Sequence, residues 1–478
     1  MTSSVESNLS SSGPKAIAIS KAIPQRTSQT ISPSATPQRL SSEEARQDVE
    51  IAGNETTGTE TAAPDKNSDD EDIAAVNAEQ AEIHRAIAQL TEGDFHQRWD
   101  RAKRFSKRFA DWGDRVVIPL IQQLHSQQDV DTQWFLVRVL SQFDRPDVVK
   151  AIAHILVNTR SETLQLEACK ALTTLGGSTI ETLSGLLHPN SPTQQRRLAA
   201  YGLSHIRRSA TIAPLLSITT DSDADIRAIA VEALGSFHAP TITPVLLNAL
   251  DDEPEIALEA IRALGRRRDL LTTTDVVSRL TRCLHHTSAT VARESATALG
   301  RLGDQSATAA LSNILSKPVA TPTKIAAIRA LSWIGTAETI YSLIHGLNQD
   351  DITLPPLARQ EIIKSLGQTR EDTLKPIAAR PLIQLLKAQT PQFPSPTPDN
   401  FLLKQTLITA LTQLSIPDAI DALIPTLADP DQRIQMHALS ALTQIDPRIS
   451  QTKVQQYLTN SEIDESVRTR IGESLKAW

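Results

Sequence analysis

Eleven leucines constrain this chain more than any other feature. Leu140, Leu172, Leu203, Leu234, Leu264, Leu299, Leu331, Leu366, Leu411, Leu442 and Leu475 each close an Ala-Leu or similar pair. Successive members stand 30 to 35 residues apart, with one gap of 45 between Leu366 and Leu411. A weaker twelfth anchor, Phe109, stands 31 residues before Leu140. A period in this range marks a supersecondary unit repeated along the chain. One such unit cannot bury its apolar face alone, so neighbours have to stack.

Each unit reads as two helices. A short break after the anchor ("GSFHAPT") leads to a first helix ("ITPVLLNAL"), and a polar turn ("DDEPE") leads to the next anchored helix. The residues four and one before the anchor are small nearly throughout: Ala168, Ala199, Ala230, Ala260, Ala327 and Ala438, then Ala171, Gly202, Ala233, Ala263, Ala298, Ala330 and Ala441. With the anchor they form one face at i, i+3, i+4 spacing, and small side chains there let helices approach closely. The expectation is an all-α solenoid of about 11–12 helix pairs.

Composition agrees. Of 478 residues, 40% are hydrophobic and only 3% aromatic, so the core has to be Leu, Ile, Val and Ala. The net charge of −7 is concentrated: residues 1–80 hold six Lys/Arg and thirteen Asp/Glu, leaving the rest neutral. Residues 1–72, rich in Ser, Thr and Pro and ending in "DKNSDDED", are expected to be a disordered acidic tail, because they cannot bury enough apolar surface to offset ordering entropy. A leading helix is expected over 73–93 and the array over 94–478. The long gap contains "TPQFPSPTPDN", whose four prolines predict an inserted loop over 390–400. No run of 18 apolar residues, no secretory pattern at the start and two distant cysteines, Cys169 and Cys283, suggest a cytoplasmic protein with free thiols.

The unit carrying Asp225-Ile226-Arg227 before "AVEALG" resembles the HEAT repeat, in the short form of the phycobilisome-lyase-like HEAT proteins. The resemblance covers roughly 95–478. It implies an armadillo-like superhelix in which an Asp and an Arg near the start of the second helix bridge neighbouring units. The position seven before the anchor reads Gln133, Gln165, Arg196, Arg227, Ala257, Ala292, Lys324, Arg359, Lys404, Gln435 and Arg468. The two alanines predict a weaker or bent stack around their units. The resemblance to E- and F-type bilin lyase subunits implies bilin handling on a phycobiliprotein as one alternative role.

Candidate sites follow from charge and position. Two before the anchor stand Arg138, Lys170, Tyr201, Glu232, Arg262, Thr297, Arg329, Lys364, Thr409, Ser440 and Glu473; in a solenoid they line the concave face, and Arg138, Lys170, Tyr201, Arg262, Arg329 and Lys364 suit a protein partner. Their bland reading is helix stabilisation, since Glu167–Lys170, Glu259–Arg262 and Glu361–Lys364 are i, i+3 pairs. His205, Arg207, Arg208 and the triple Arg266-Arg267-Arg268 are candidates for an anion or the propionates of a bilin, with Tyr201 and His205 as stacking groups. Arg98, Arg101, Lys103, Arg104, Lys107 and Arg108 share an amphipathic helix with Phe95, Trp99, Phe105, Phe109 and Trp112. That helix suits an anionic membrane or a nucleic acid, but its place in the register favours a cap on the end of the core.

Cys283, His285 and His286 form no wrap around a metal ion, and no histidine is followed by Glu. Nucleotide-binding and hydrolase signatures are absent from the sequence. A neutral body disfavours nucleic acid as the main partner. The sequence therefore points to a non-catalytic protein-interaction scaffold or assembly factor, with no catalytic residues, cofactor or metal site. The alternative is a bilin lyase-type subunit or chromophore-handling chaperone.

Overall fold

The structure, a computed structural model, describes residues 66–272, 275–349, 354–389 and 398–475. The expected tail up to residue 65 and the proline-rich segment 390–397 lie outside them. Among the described residues every regular element is an α- or 3-10 helix. None is long and apolar enough to cross a membrane.

The elements alternate as the register requires. The second helices include Val130–Leu140, Glu162–Leu175, Thr193–His205, Ala224–Leu234, Pro254–Leu264, Ala289–Leu302, Thr321–Ile334, Pro356–Gly367, Pro398–Leu414 and Gln432–Ile445. Each packs on the next to form one continuous layer. The ten leucine anchors from Leu140 to Leu442 are fully buried. Leu475, in the last unit, is half-buried and packs against the core. The first helices form the other layer and vary in length, from Ile420–Leu423 to Lys375–Gln389. Ile180–Gly185, Ile212–Ser217 and Thr243–Asn248 each extend a 3-10 turn.

Two boundaries differ from the sequence reading. The leading helix is Lys66–Thr91, so the acidic run assigned to the tail is already helical. The helix after the insertion begins at Pro398 rather than after Asn400, with a proline at a position where its missing N–H costs nothing.

Small residues set the spacing between second helices. An added Cβ on Gly265 would lie 2.7 Å from Ala298 Cβ, and one on Gly300 would lie 2.6 Å from Ala330 Cα. Gly235 meets Ala263 and Gly367 meets Ala410 in the same way. The residue after one anchor therefore nests against the alanine before the next.

The turns are tied by the column seven before the anchor, which is largely internal. Gln133 Nε2 donates to the Gln127 carbonyl at 2.9 Å, Gln165 Nε2 to Thr159 at 3.0 Å and Gln435 Nε2 to Asp429 at 2.7 Å. Lys324 Nζ donates to the Leu315 carbonyl at 2.7 Å and Arg359 Nη2 to Gln349 at 2.8 Å. Each side chain thus closes the turn that precedes its own helix, satisfying a backbone carbonyl that would otherwise need water. Three other members of the column reach forward one unit. Arg196 binds both oxygens of Asp221, each at 2.9 Å, and Arg227 binds both of Asp252, at 3.0 and 2.9 Å. Lys404 Nζ lies 2.6 Å from Asp429.

The loosening expected at Ala257 and Ala292 is not what the structure has. Both alanines are buried, and Gly265 packs directly on Ala298 between their helices. Other side chains take over at the turns. Arg279 donates to the Leu247 carbonyl and to Asp251, each at 2.7 Å, and the Ser295 hydroxyl donates to the Leu280 carbonyl at 2.5 Å.

Candidate functional site

The second-helix layer has an open face, formed by residues nine, six, five and two before the anchor and two after it. The bases two before the anchor are exposed there, and several are bridged to the next unit. Arg138 Nη1 lies 3.4 Å from Glu167, Arg329 Nε 2.6 Å from Glu361 and Arg262 Nε 4.0 Å from Glu294. Arg262 also pairs with Glu259 at 2.6 Å, the i, i+3 contact that the bland reading predicts. Burial pushes the Glu259 carboxyl above its usual range, against the pull of Arg262. Lys170 and Lys364 are exposed on the same face.

The face carries aromatic groups at intervals. Trp99 and Trp134 lie with ring centres 6.3 Å apart, and the Arg138 guanidinium sits 4.6 Å from the first ring and 5.3 Å from the second. Lys103 lies 5.4 Å from the Trp99 ring centre. The Tyr201 and His205 rings lie with centres 4.2 Å apart, tilted by 41°, and the His205 ring contacts the Tyr201 carbonyl. Trp333, 52% exposed, was not among the residues singled out in the sequence. It borders a cleft of about 460 Å³ lined by Ser365, Gln368, Thr369, Arg370 and Glu371. Its position two after an anchor, on the same stripe as Arg329, was the signal available for it.

The residues proposed for an anion or a bilin do not converge. Arg267 is buried, paired with Asp269 at 2.7 Å and directed at the Phe237 carbonyl at 3.4 Å. Arg268 Nε donates to the Arg301 carbonyl at 2.9 Å. The Arg208 guanidinium lies over Gly177, within 2.4 Å of where a Cβ would stand. These three brace neighbouring units. Arg207, Arg266 and His205 remain exposed.

The basic helix, Phe95–Trp112, packs into the core after Ile83, Ile87 and Leu90 of the leading helix. Phe105 and Trp112 are buried against each other at 5.5 Å. Arg98 donates to Asp129 and Thr132 at 3.3 and 3.2 Å, and Arg101 to the Gln89 and Glu92 carbonyls at 2.7 Å. Arg104 is exposed. The side chains of Lys107, Arg108 and Phe109 lie outside the described residues. Both cysteines are buried; burial raises the Cys169 thiol to about 12 and pushes Cys283 up as well. Among the described residues no group of His, Cys, Asp and Glu is arranged to hold a metal ion.

A model of HEAT repeats matches residues 117–204, 180–255, 212–298, 243–332, 277–354 and 397–476, more than half of the chain. The chain belongs to the HEAT-repeat family. Several solved structures are similar to it at low identity. Kap121p aligns at 14% identity and a TM-score of 0.54, over 84% of this chain and 49% of that one. Importin beta aligns at 14% identity and 0.48, over 82% and 62%. An engineered protein aligns at 18% identity and 0.34, over 82% and 98%. At these identities the likeness is one of fold. No curated protein sequence matches the chain. Within the HEAT frame, Arg196–Asp221 and Arg227–Asp252 are the bridges between units that the resemblance implied.

Proposed function

We propose that this HEAT array is a non-catalytic scaffold or assembly factor that holds a protein partner along the open, concave face of its second helices. The observation that carries the reading is the row from Arg138 to Lys364, which sets exposed bases and part-exposed aromatic rings along helices fixed by buried turn ties. Such a surface is long and chemically varied, which is how solenoids present partners with an extended interface. The karyopherin-like fold of Kap121p is consistent with it. The same reading takes the protein to be cytoplasmic and its Phe95–Trp112 helix to be an end cap rather than a membrane or nucleic-acid contact.

The adjoining Tyr201 and His205 rings favour one second reading, a chromophore-handling subunit of the bilin lyase type acting on a phycobiliprotein. Arg207 and Arg266 would then supply charge to the bilin propionates. That reading requires visible absorbance in the complex.

Affinity capture with the full chain and with the Arg262→Glu/Arg329→Glu/Lys364→Glu variant tests both. The scaffold reading expects a partner lost in the variant while the thermal melt is unchanged. A partner retained in full by the variant contradicts it. A coloured complex lost in a Tyr201→Ala/His205→Ala variant would favour the second reading, and a colourless one counts against it.

A further inference from the structure

We infer that the part of this face from Arg262 to Trp333 takes an acidic peptide segment, with an apolar side chain of that segment seated beside Trp333. This deepens the scaffold reading and rests on it.

Arg262, Arg301 and Arg329 side chains are 46%, 46% and 55% exposed, whereas Glu259, Glu294 and Glu361 beneath them are 25%, 20% and 16% exposed. Guanidinium tips therefore form the outer layer, and the carboxylates lie under it. Pairing leaves much of that layer available. Arg301 and Arg262 stand 3.9 and 4.0 Å from Glu294, beyond hydrogen-bonding distance, and a guanidinium has five N–H donors. Incoming carboxylates would complete these forks.

Trp333 supplies the second determinant. An added Cβ on Gly300 would stand 2.9 Å from Trp333 Cε3, so the indole is seated against the glycine of the preceding helix. Its exposed part borders the cleft toward Gln368 and Arg370. A held, half-exposed tryptophan next to arginines has the composition of an interface anchor.

The occupant follows from these two determinants. A basic segment would meet the guanidinium tips with like charge. An unbroken run of phosphates would meet Glu259 and Glu294 between the arginines. A peptide alternating acidic and apolar residues satisfies both the arginines and the tryptophan.

The test is fluorescence anisotropy of the full chain with a fluorescein-labelled peptide of alternating Glu and Leu. A Lys/Leu counterpart and a single-stranded oligonucleotide are run beside it. The acidic peptide should bind, weaken as salt screens it, and lose about tenfold in Arg262→Glu/Arg301→Glu/Arg329→Glu and about fivefold in Trp333→Ala. Arg301→Ala, a milder change, should lose about threefold with an unaltered melt. Equal binding by all variants overturns the inference, and so does preference for the oligonucleotide. Preference for the basic peptide sinks the acidic assignment and leaves the scaffold reading standing. No binding by either peptide counts against both.

Discussion

Arg227 and Asp252 join two units through paired hydrogen bonds of 3.0 and 2.9 Å, while a third Arg227 nitrogen donates to the Asp221 carbonyl at 2.8 Å. Asp221 in turn accepts both donors of Arg196 on its carboxylate. One aspartate thus serves its own unit through its backbone and the preceding unit through its side chain. Asp429 repeats the arrangement, accepting from Gln435 on its carbonyl and from Lys404 on its carboxylate.

Arg227→Ala removes both functions and should destabilise the array by about 2–3 kcal/mol, somewhat under the cost of breaking a fully buried pair. Arg227→Gln should cost less, because Gln165 and Gln435 show that an amide alone closes the turn. A double-mutant cycle with Asp252→Ala should give a coupling of about 1–3 kcal/mol, read from denaturant melts. A coupling near zero would show that the bridge contributes nothing.

Acid should act through the same aspartates. The Arg196 hydrogen bonds hold the Asp221 carboxyl below its usual range against the opposing effect of burial, and Arg227 does the same for Asp252. A carboxylate with a folded pKa below the unfolded value of about 3.9 adds stability above that pH, lost as pH falls through the folded value. Asp221→Asn should therefore be clearly less stable than the native chain at pH 7, and the two should converge below about pH 4. Thermal melts across pH read this directly, and a gap that stays constant into strong acid would refute it.

Gly265 has an ordinary right-handed helical backbone, φ −64°, so an alanine there meets no conformational strain. Replacing glycine at such a site would by itself stabilise by about 0.4–1 kcal/mol. The 2.7 Å approach to Ala298 opposes this, and overpacking of that kind costs about 1–3 kcal/mol. Crowding should win, and Gly265→Ala should lower the melting temperature. A rise would mean that the helices move apart freely.

The repeat, its two helices and its buried anchors were legible because leucine and alanine recur at fixed positions and burial depends on little else. The turn ties were half legible. The column from Gln133 to Arg468 was visible, but its partners were not, because they stand 25 residues on and no local spacing points there. The pairing is nevertheless written in the chain. Arg196, Arg227 and Lys404 face Asp221, Asp252 and Asp429, whereas Gln133, Gln165 and Gln435 stand 25 residues before Asn158, Asn190 and Asn460. Ala257 and Ala292 precede Arg282 and Lys317 at that distance, so cation and anion are lost together. The candidate face was legible in its bases and not in their environment. Glu294 and Glu361 reach Arg262 and Arg329 from the next unit, and sequence spacing gave no sign of it.

Leu234 is fully buried at the seam between second helices. Leu234→Asp should place an unpaired charge there and cost more than about 4 kcal/mol, enough to split the cooperative melt. Circular dichroism showing an unchanged single transition would contradict the register.

Hydrogen–deuterium exchange on the captured partner complex tests the central claim most directly. The account predicts protection on the second helices Pro254–Leu264, Ala289–Leu302, Thr321–Ile334 and Pro356–Gly367, with the first helices Thr308–Ser316 and Ala337–Leu347 unchanged. Protection confined to those first helices, around the exposed Tyr341, would place the partner on the opposite layer and contradict it.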